Sequence, residues 1–198
     1  MLKNFEEKFN FYCDSNNLEI NQNQFLVIKK LQDYYKKNFR SFISKFLSKE
    51  NSKKSFYLYG DVGVGKTMIL DFFFSQIKQK KKRLHFNEFM LNFHDFVQER
   101  KNKKEQNIIS LFVKDLKLKV SLIYFDEFQV TNIVDAMILG KLFEEMFKAN
   151  IKMILTSNTK ISDLYKDAFK EINLNHLLKL CRKNLLNMNL KLKMIIEN

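Results

Sequence analysis

Apolar positions recur along this chain with two different spacings, and their alternation predicts a sheet covered by helices. Ser55 to Tyr59, Leu84-His85-Phe86, Val120 to Phe125 and Ile151 to Leu155 are short runs that are apolar almost throughout. Runs of that kind read as strands buried on both faces, the signature of a parallel sheet. Between them apolar residues return every three or four positions, as one face of a helix requires. Phe89, Phe93, Phe96 and Val97 mark a helix from about Asn87 to Glu99, and Ile108, Leu111, Phe112 and Leu116 mark another from about Asn107 to Leu118. A helix from about Lys66 to Lys80 follows the first strand, and another ends near Lys148. Lys78 to Arg83 reads as a basic loop. Leu185 to Met194 alternates apolar and polar and predicts a fifth strand, after short helices starting at Ser162 and spanning Leu177 to Leu180. The expected fold is α/β, a three-layer α/β/α sandwich around a five-stranded parallel sheet.

Residues 1–50 have a different pattern. Phe25, Ile28, Leu31 and Tyr34/Tyr35 are at helical spacing, with Asn21 or Asn23 placed to cap the start. They form a helical prelude expected to pack on the domain of residues 51–198.

The first strand runs directly into Gly60-Asp61-Val62-Gly63-Val64-Gly65-Lys66-Thr67, which meets the spacing G-x-x-x-x-G-K-T of a phosphate-binding P-loop between a strand and a helix. Glycines at 60, 63 and 65 permit positive φ and let backbone N–H groups curl around a polyphosphate. Lys66 has the reach for the β- and γ-phosphates, the Thr67 hydroxyl suits Mg2+, and the helix dipole adds positive potential. The nucleotide-binding set is therefore Gly60, Asp61, Val62, Gly63, Val64, Gly65, Lys66, Thr67 and Met68.

The run from Val120 ends in Asp126-Glu127, delivering two carboxylates to the C-terminal edge of the sheet, where open parallel sheets bind ligands. Asp126 suits Mg2+, and Glu127 is placed to polarise a water for attack on the γ-phosphate. Asn158, just past the fourth strand, is the candidate sensor of that phosphate. Lys66, Glu127 and Asn158 are thus the expected catalytic residues, and Thr67 and Asp126 the metal ligands; the cofactors are ATP and Mg2+. No N-K-x-D run that would read guanine occurs.

Composition adjusts this picture. At 198 residues the chain suits one α/β domain, and no apolar run approaches the roughly 20 residues of a membrane-spanning helix. Met1 to Glu7 has neither the layout of a secretory signal nor the acid-free character of a transit peptide, so no cleaved segment is expected. The formal net charge is +13, but 31 of 35 basic residues are Lys and 4 are Arg, beside 21 Asn and no Pro or Trp. That skew reads as codon bias, and a solvated Lys-rich surface is favoured over a nucleic-acid patch. Cys13 and Cys181 form no metal or redox spacing and read as free thiols of a reducing cytoplasm. His85 and His94 lack ligands at zinc spacing and read as structural or partner-contact residues.

Several runs together resemble a known family: Tyr57 to Met68, Leu84-His85-Phe86-Asn87-Glu88-Phe89-Met90, Phe125-Asp126-Glu127-Phe128-Gln129-Val130-Thr131, Asp135-Ala136-Met137-Ile138-Leu139 and Thr156-Ser157-Asn158. They look like the ZapE and AFG1-like (lactation elevated) P-loop ATPases, over about Leu18 to Asp167. The resemblance implies an AAA+-type ATPase acting as a homo-oligomer, with the same roles for Lys66, Thr67, Asp126, Glu127 and Asn158. It also implies a division-ring or membrane-associated protein partner, a cytoplasmic location at the inner face of the membrane, and a part in cell division or membrane-protein handling. The chain departs from the family where Gly-Leu-Asn-Arg is usual: here stands Ala168-Phe169-Lys170-Glu171, with Leu174-Asn175-His176 after it. If that arginine is the finger offered to a neighbouring subunit, Glu171 reverses its charge and weakens turnover. The chain reads as a C-terminally shortened member. The alternatives are an ATP-dependent interaction protein with little turnover, and a helicase-loader-like AAA+ protein that engages DNA.

Overall fold

A computed structural model describes residues 5–39, 53–101, 107–130, 133–161, 163 and 183–189 of the chain. Two helices lead, α1 (Phe5–Ser15) and α2 (Gln22–Phe39), followed by β1 (Ser55–Tyr59), α3 (Lys66–Gln76) and β2 (Lys81–His85). Then come α4 (Phe86–Arg100), α5 (Ile108–Lys119), β3 (Leu122–Asp126), α6 (Ile133–Lys148), β4 (Lys152–Ser157) and β5 (Leu185–Asn189). The five strands form one parallel sheet in the order β2-β3-β4-β1-β5.

Successive residues on a strand point to opposite faces, and here that rule divides the core in two. Tyr57, Ile123, Phe125, Met153 and Leu155 pack with α4, α5 and α6 through Phe86, Phe89, Phe112 and Phe143. Their strand neighbours Phe56, Leu58, Leu122, Tyr124 and Ile154 pack with α1, α2 and α3 through Phe9, Ile28, Leu31 and Phe73. The fold is the three-layer α/β/α sandwich with a five-stranded parallel sheet. Cys13 is a buried free thiol within the second layer.

Two boundaries differ from expectation. The second strand is not Leu84 to Phe86: it begins at Lys81, within the expected basic loop, and Phe86 is already the first residue of α4. Lys81 to His85 pair with Leu122 to Asp126 on one side only, since β2 is the edge of the sheet. An edge strand needs backbone pairing rather than an apolar sequence, and lysines there deter pairing with other chains. Of its side chains Leu84 alone is fully buried.

The helix expected to reach Lys80 stops at Gln76, and Ile77 is extended. Lys81 Nζ donates to the Phe74 and Ile77 carbonyls. Phe74 O, in the last helical turn, also accepts the Ile77 N–H at 3.3 Å, and Ile77 O lies just past the helix end, so the lysine ties the two sides of the point where the chain leaves the helix for β2. The fifth strand is described over Leu185–Asn189. The helices expected from Ser162 and over Leu177 to Leu180, together with Glu171 and Cys181, lie outside the described residues.

Candidate functional site

The strand register brings four chain segments to one edge of the sheet. Tyr59 pairs with Ser157 and His85 with Asp126, so β1, β2, β3 and β4 all end there. Because β4 lies between β1 and β3, its last residues can grip the loops on both sides. Ser157 O accepts the Gly60 N–H at 3.3 Å, and Thr156 O accepts the Phe128 N–H at 2.6 Å. Thr156 Oγ1 accepts from the Glu127 N–H at 3.1 Å and donates to Asp126 Oδ1 at 2.8 Å. Gly60 to Thr67 and Asp126-Glu127 are thereby fixed side by side.

Gly63 and Gly65 have φ of 81° and 86°, in the left-handed region that side chains disfavour. The expectation of positive φ at Gly60 is not met: it is absent from the positive-φ glycines, and its conformation is set by the ladder to Ser157. A Cβ on Gly63 would meet nothing within 4 Å, whereas one on Gly65 would lie 2.8 Å from Gln24 Nε2. Val62 and Gly63 form a tight turn, and α3 begins at Lys66, so the N–H groups of its first turn, which have no intrahelical acceptor, stand at the end of this loop. Donors turned into a loop at a helix N-terminus are what an anion needs.

Lys66 Nζ donates to the Gly60 and Asp61 carbonyls at 2.9 and 2.6 Å, so the ammonium lies folded against its own loop. Burial pushes its pKa below the usual lysine range, against the opposing pull of Asp61 and Asp126. Thr67 and Val62 are exposed, and Met68 lies behind Gly65.

Asp126 is buried, with both carboxylate oxygens engaged. Oδ1 accepts from Thr156 Oγ1 and from the Tyr124 hydroxyl at 3.1 Å, while Oδ2 accepts from Arg83 Nη2. Burial alone would raise its pKa; hydrogen bonds and charge from Arg83, Thr156 and Tyr124 outweigh this and hold it below the usual carboxylate value. Glu127, by contrast, has its side chain 74% exposed, with a φ of 52° that aims it away from the strand. His85 Nδ1 lies 3.8 Å from Glu127 Oε2. Asn158 is exposed at the tip of β4, on the same edge. His94 is placed elsewhere, joining α4 to Asp135 of α6 at 2.7 Å.

Thr67 and Asp126 offer the hard oxygen donors that magnesium prefers. Among the described residues no group of three or more His, Cys, Asp or Glu could hold a metal. Such a pair fits an ion held jointly with a nucleotide's phosphates and waters, the usual manner for Mg2+.

Four residues of this site escaped the sequence reading. Tyr124 contacts Asp126 from two residues back on the same face of β3, and Arg83 and Thr156 do so from the strands on either side, with no local signal of their partnership. Gln24 did have one: Asn21-x-x-Gln24 is a capping box. The Asn21 side chain takes the Gln24 N–H at 3.0 Å, the Gln24 side chain takes the Asn21 N–H at 3.1 Å, and Gln24 Nε2 also donates to Val64 O at 3.3 Å.

Known proteins resemble this chain in sequence and in fold. Lactation elevated protein 1 homolog B of Danio rerio is 38% identical over 133 residues, 62% of this chain and 26% of that protein. Cell division protein ZapE of Escherichia coli strain K12 is 32% identical over 124 residues, 62% of this chain and 32% of that protein. The chain thus spans about a quarter to a third of the length of these curated relatives. Among solved structures, AMPPCP-bound DnaA from Aquifex aeolicus superposes with a TM-score of 0.59 at 17% identity, covering 90% of this chain and 50% of that one. DnaI gives 0.57 at 15% identity, covering 90% and 87%. At such identities the likeness is one of fold. The profile of the AFG1-like ATPases matches residues 12–189, which takes in the glycine loop, the Asp126-Glu127 strand end and β4, and on that extent the chain belongs to the AFG1-like ATPase family.

Proposed function

We propose that this protein binds Mg-ATP at the edge formed by β1, β3 and β4 and hydrolyses it. The observation that carries this reading is the placement of the glycine loop beside Asp126-Glu127, joined through Thr156 and Ser157. In this reading the N–H groups from Val62 to Thr67 receive the phosphates, and Lys66 leaves its loop carbonyls for the β- and γ-phosphate oxygens. Thr67 and Asp126 hold the magnesium, which neutralises phosphate charge when bound. Glu127, exposed and free of strong partners, takes the proton of the attacking water, and Asn158 contacts the γ-phosphate. ATP binding with and without Mg2+, followed by calorimetry, tests the first step; no binding in either condition refutes the reading. Glu127→Gln is expected to slow turnover by about 10²- to 10⁴-fold, the usual worth of a general base, while nucleotide affinity holds.

Family membership supports action as an oligomer with a protein partner, and the ZapE relative, named a cell division protein, supports a part in cell division, with membrane-protein handling the other role in this reading. No described helix is long and apolar enough to cross a membrane, which is compatible with a cytoplasmic protein working at the inner membrane face. A turnover rate per subunit that climbs with protein concentration is the expected sign of sites completed between subunits. Glu171, in place of the family's arginine, favours a second reading in which ATP is held and barely cleaved. Equal, near-zero rates for the natural protein and Glu127→Gln would select it.

A further inference from the structure

Arg83 occupies a position that its place on an edge strand does not explain. It stands opposite Tyr124 in the ladder, and its guanidinium lies over the Tyr124 ring, 5.0 Å from the centroid. Nη2 donates to Asp126 Oδ2 and Nη1 to Asp71 Oδ1 at 2.7 Å. Asp71 follows Thr67 by four residues and so lies on the same face of α3, one turn further on. A single cation therefore bridges the helix that begins with Lys66-Thr67 and the carboxylate that ends β3.

A carboxylate has about four acceptor positions on its two oxygens. Tyr124 and Thr156 take two of them on Oδ1, and Arg83 takes one on Oδ2. The acceptor position that is left for a metal or its water is on Oδ2, the oxygen that the guanidinium holds. The orientation of the carboxylate does not depend on Arg83, because Oδ1 is anchored twice without it. What Arg83 adds is a positive charge beside the one remaining lone pair.

We infer that Arg83 shares Asp126 Oδ2 with the magnesium of Mg-ATP and, by competing with it, sets how much metal the site requires. Asp71 is the second half of the device: by drawing the guanidinium toward α3 it weakens the competition. The inference rests on the Mg-ATP reading above. It makes Arg83 a positioning residue that acts through Asp126, with opposite effects expected from its removal and from removal of Asp71.

The test is a titration of Mg2+ into the full chain at fixed AMPPCP, at pH 8 where Asp126 is ionised, reading the half-saturating Mg2+ concentration by calorimetry. Arg83→Gln is expected to lower it roughly threefold to tenfold, as loss of a unit charge several ångströms from a divalent ion in a half-exposed, salt-screened site implies. Arg83→Lys, which keeps the charge, should stay near the natural value, and Asp71→Asn should raise it about twofold. An unchanged or raised value in Arg83→Gln overturns the inference, since a merely structural arginine would shift thermal unfolding and leave the metal requirement where it was. Should Arg83→Gln fail to fold, the exposed Asp71→Asn decides, and an unchanged or lowered value there overturns it. If the natural protein shows no magnesium-dependent binding of AMPPCP, the Mg-ATP reading itself fails and this inference with it.

Discussion

Gly65 is required for two separable reasons, and substituting it tests both. In Gly65→Ala the backbone must hold a φ of 86° with a side chain, which costs about 1–2 kcal/mol. The new Cβ also meets Gln24 Nε2 at 2.8 Å. That atom is the end of a flexible side chain, so it can move, but doing so breaks the bond to Val64 O. Loss of a hydrogen bond of this kind costs about 0.5–1.5 kcal/mol. The expected total is about 1.5–3.5 kcal/mol. Gly63 supplies the control, since its φ of 81° is nearly the same and a Cβ there meets nothing within 4 Å. Gly63→Ala should therefore cost only the backbone term of about 1–2 kcal/mol.

Urea unfolding of Gly63→Ala, Gly65→Ala, Gln24→Ala and the double variant Gln24→Ala/Gly65→Ala completes the measurement. Once Gln24 is truncated there is no bond left to break, so Gly65→Ala should become about 0.5–1.5 kcal/mol cheaper in that background. Equal costs at Gly63 and Gly65, or a cost at Gly65 indifferent to Gln24, would refute the contact between α2 and the glycine loop. AMPPCP affinity measured on the same set reports whether the loop shape, and not stability alone, depends on the N-terminal helices.

Thr156→Val should remove the hydroxyl that serves Asp126 Oδ1 and the Glu127 N–H together. A loss of about 1–3 kcal/mol is expected for stranding buried partners, with a fall in ATP turnover; retention of both full stability and full turnover would contradict the role given to β4. Asp126 carries a pH dependence whose sign follows from its depressed pKa. Its contribution is present above the unfolded carboxylate value of about 3.9 and is lost as pH falls through the lower folded value. Urea midpoints of the natural protein should therefore drop more steeply on acidification below about pH 4 than those of Asp126→Asn, and parallel curves would refute it.

Much of this molecule is legible in short stretches of sequence. The strand, glycine loop and helix from Ser55 to Gln76 are contiguous, so each residue's requirement is met by its immediate neighbours. Asp126-Glu127 is visible for the same reason: a run buried on both faces must end where its first charges stand. The helix α4 is betrayed by its phenylalanines and α5 by its isoleucine, leucine and phenylalanine spacing, since a helix that buries one face must repeat every three or four residues. The edge strand β2 was missed over Lys81 to Arg83 because its fold-determining interactions are backbone bonds to β3, and these leave no imprint on side-chain polarity.

By itself the sequence determined which chemistry the chain carries: phosphate-binding loop, paired carboxylates, and a protein of alternating strands and helices. Tertiary structure alone decided who touches whom. Insertion of β4 between β1 and β3 makes Thr156 and Ser157 the link between loop and acids, and Gln24 reaches the loop from 40 residues before it. Arg83 meets Asp71 and Asp126 across 12 and 43 residues. A polar side chain makes the same impression in a sequence whether it faces water or a carboxylate on the next strand; packing two faces of one sheet settles which. So it is with the loop at Gly60 to Thr67: its shape is local, while the groups that face it are gathered by the order of the strands.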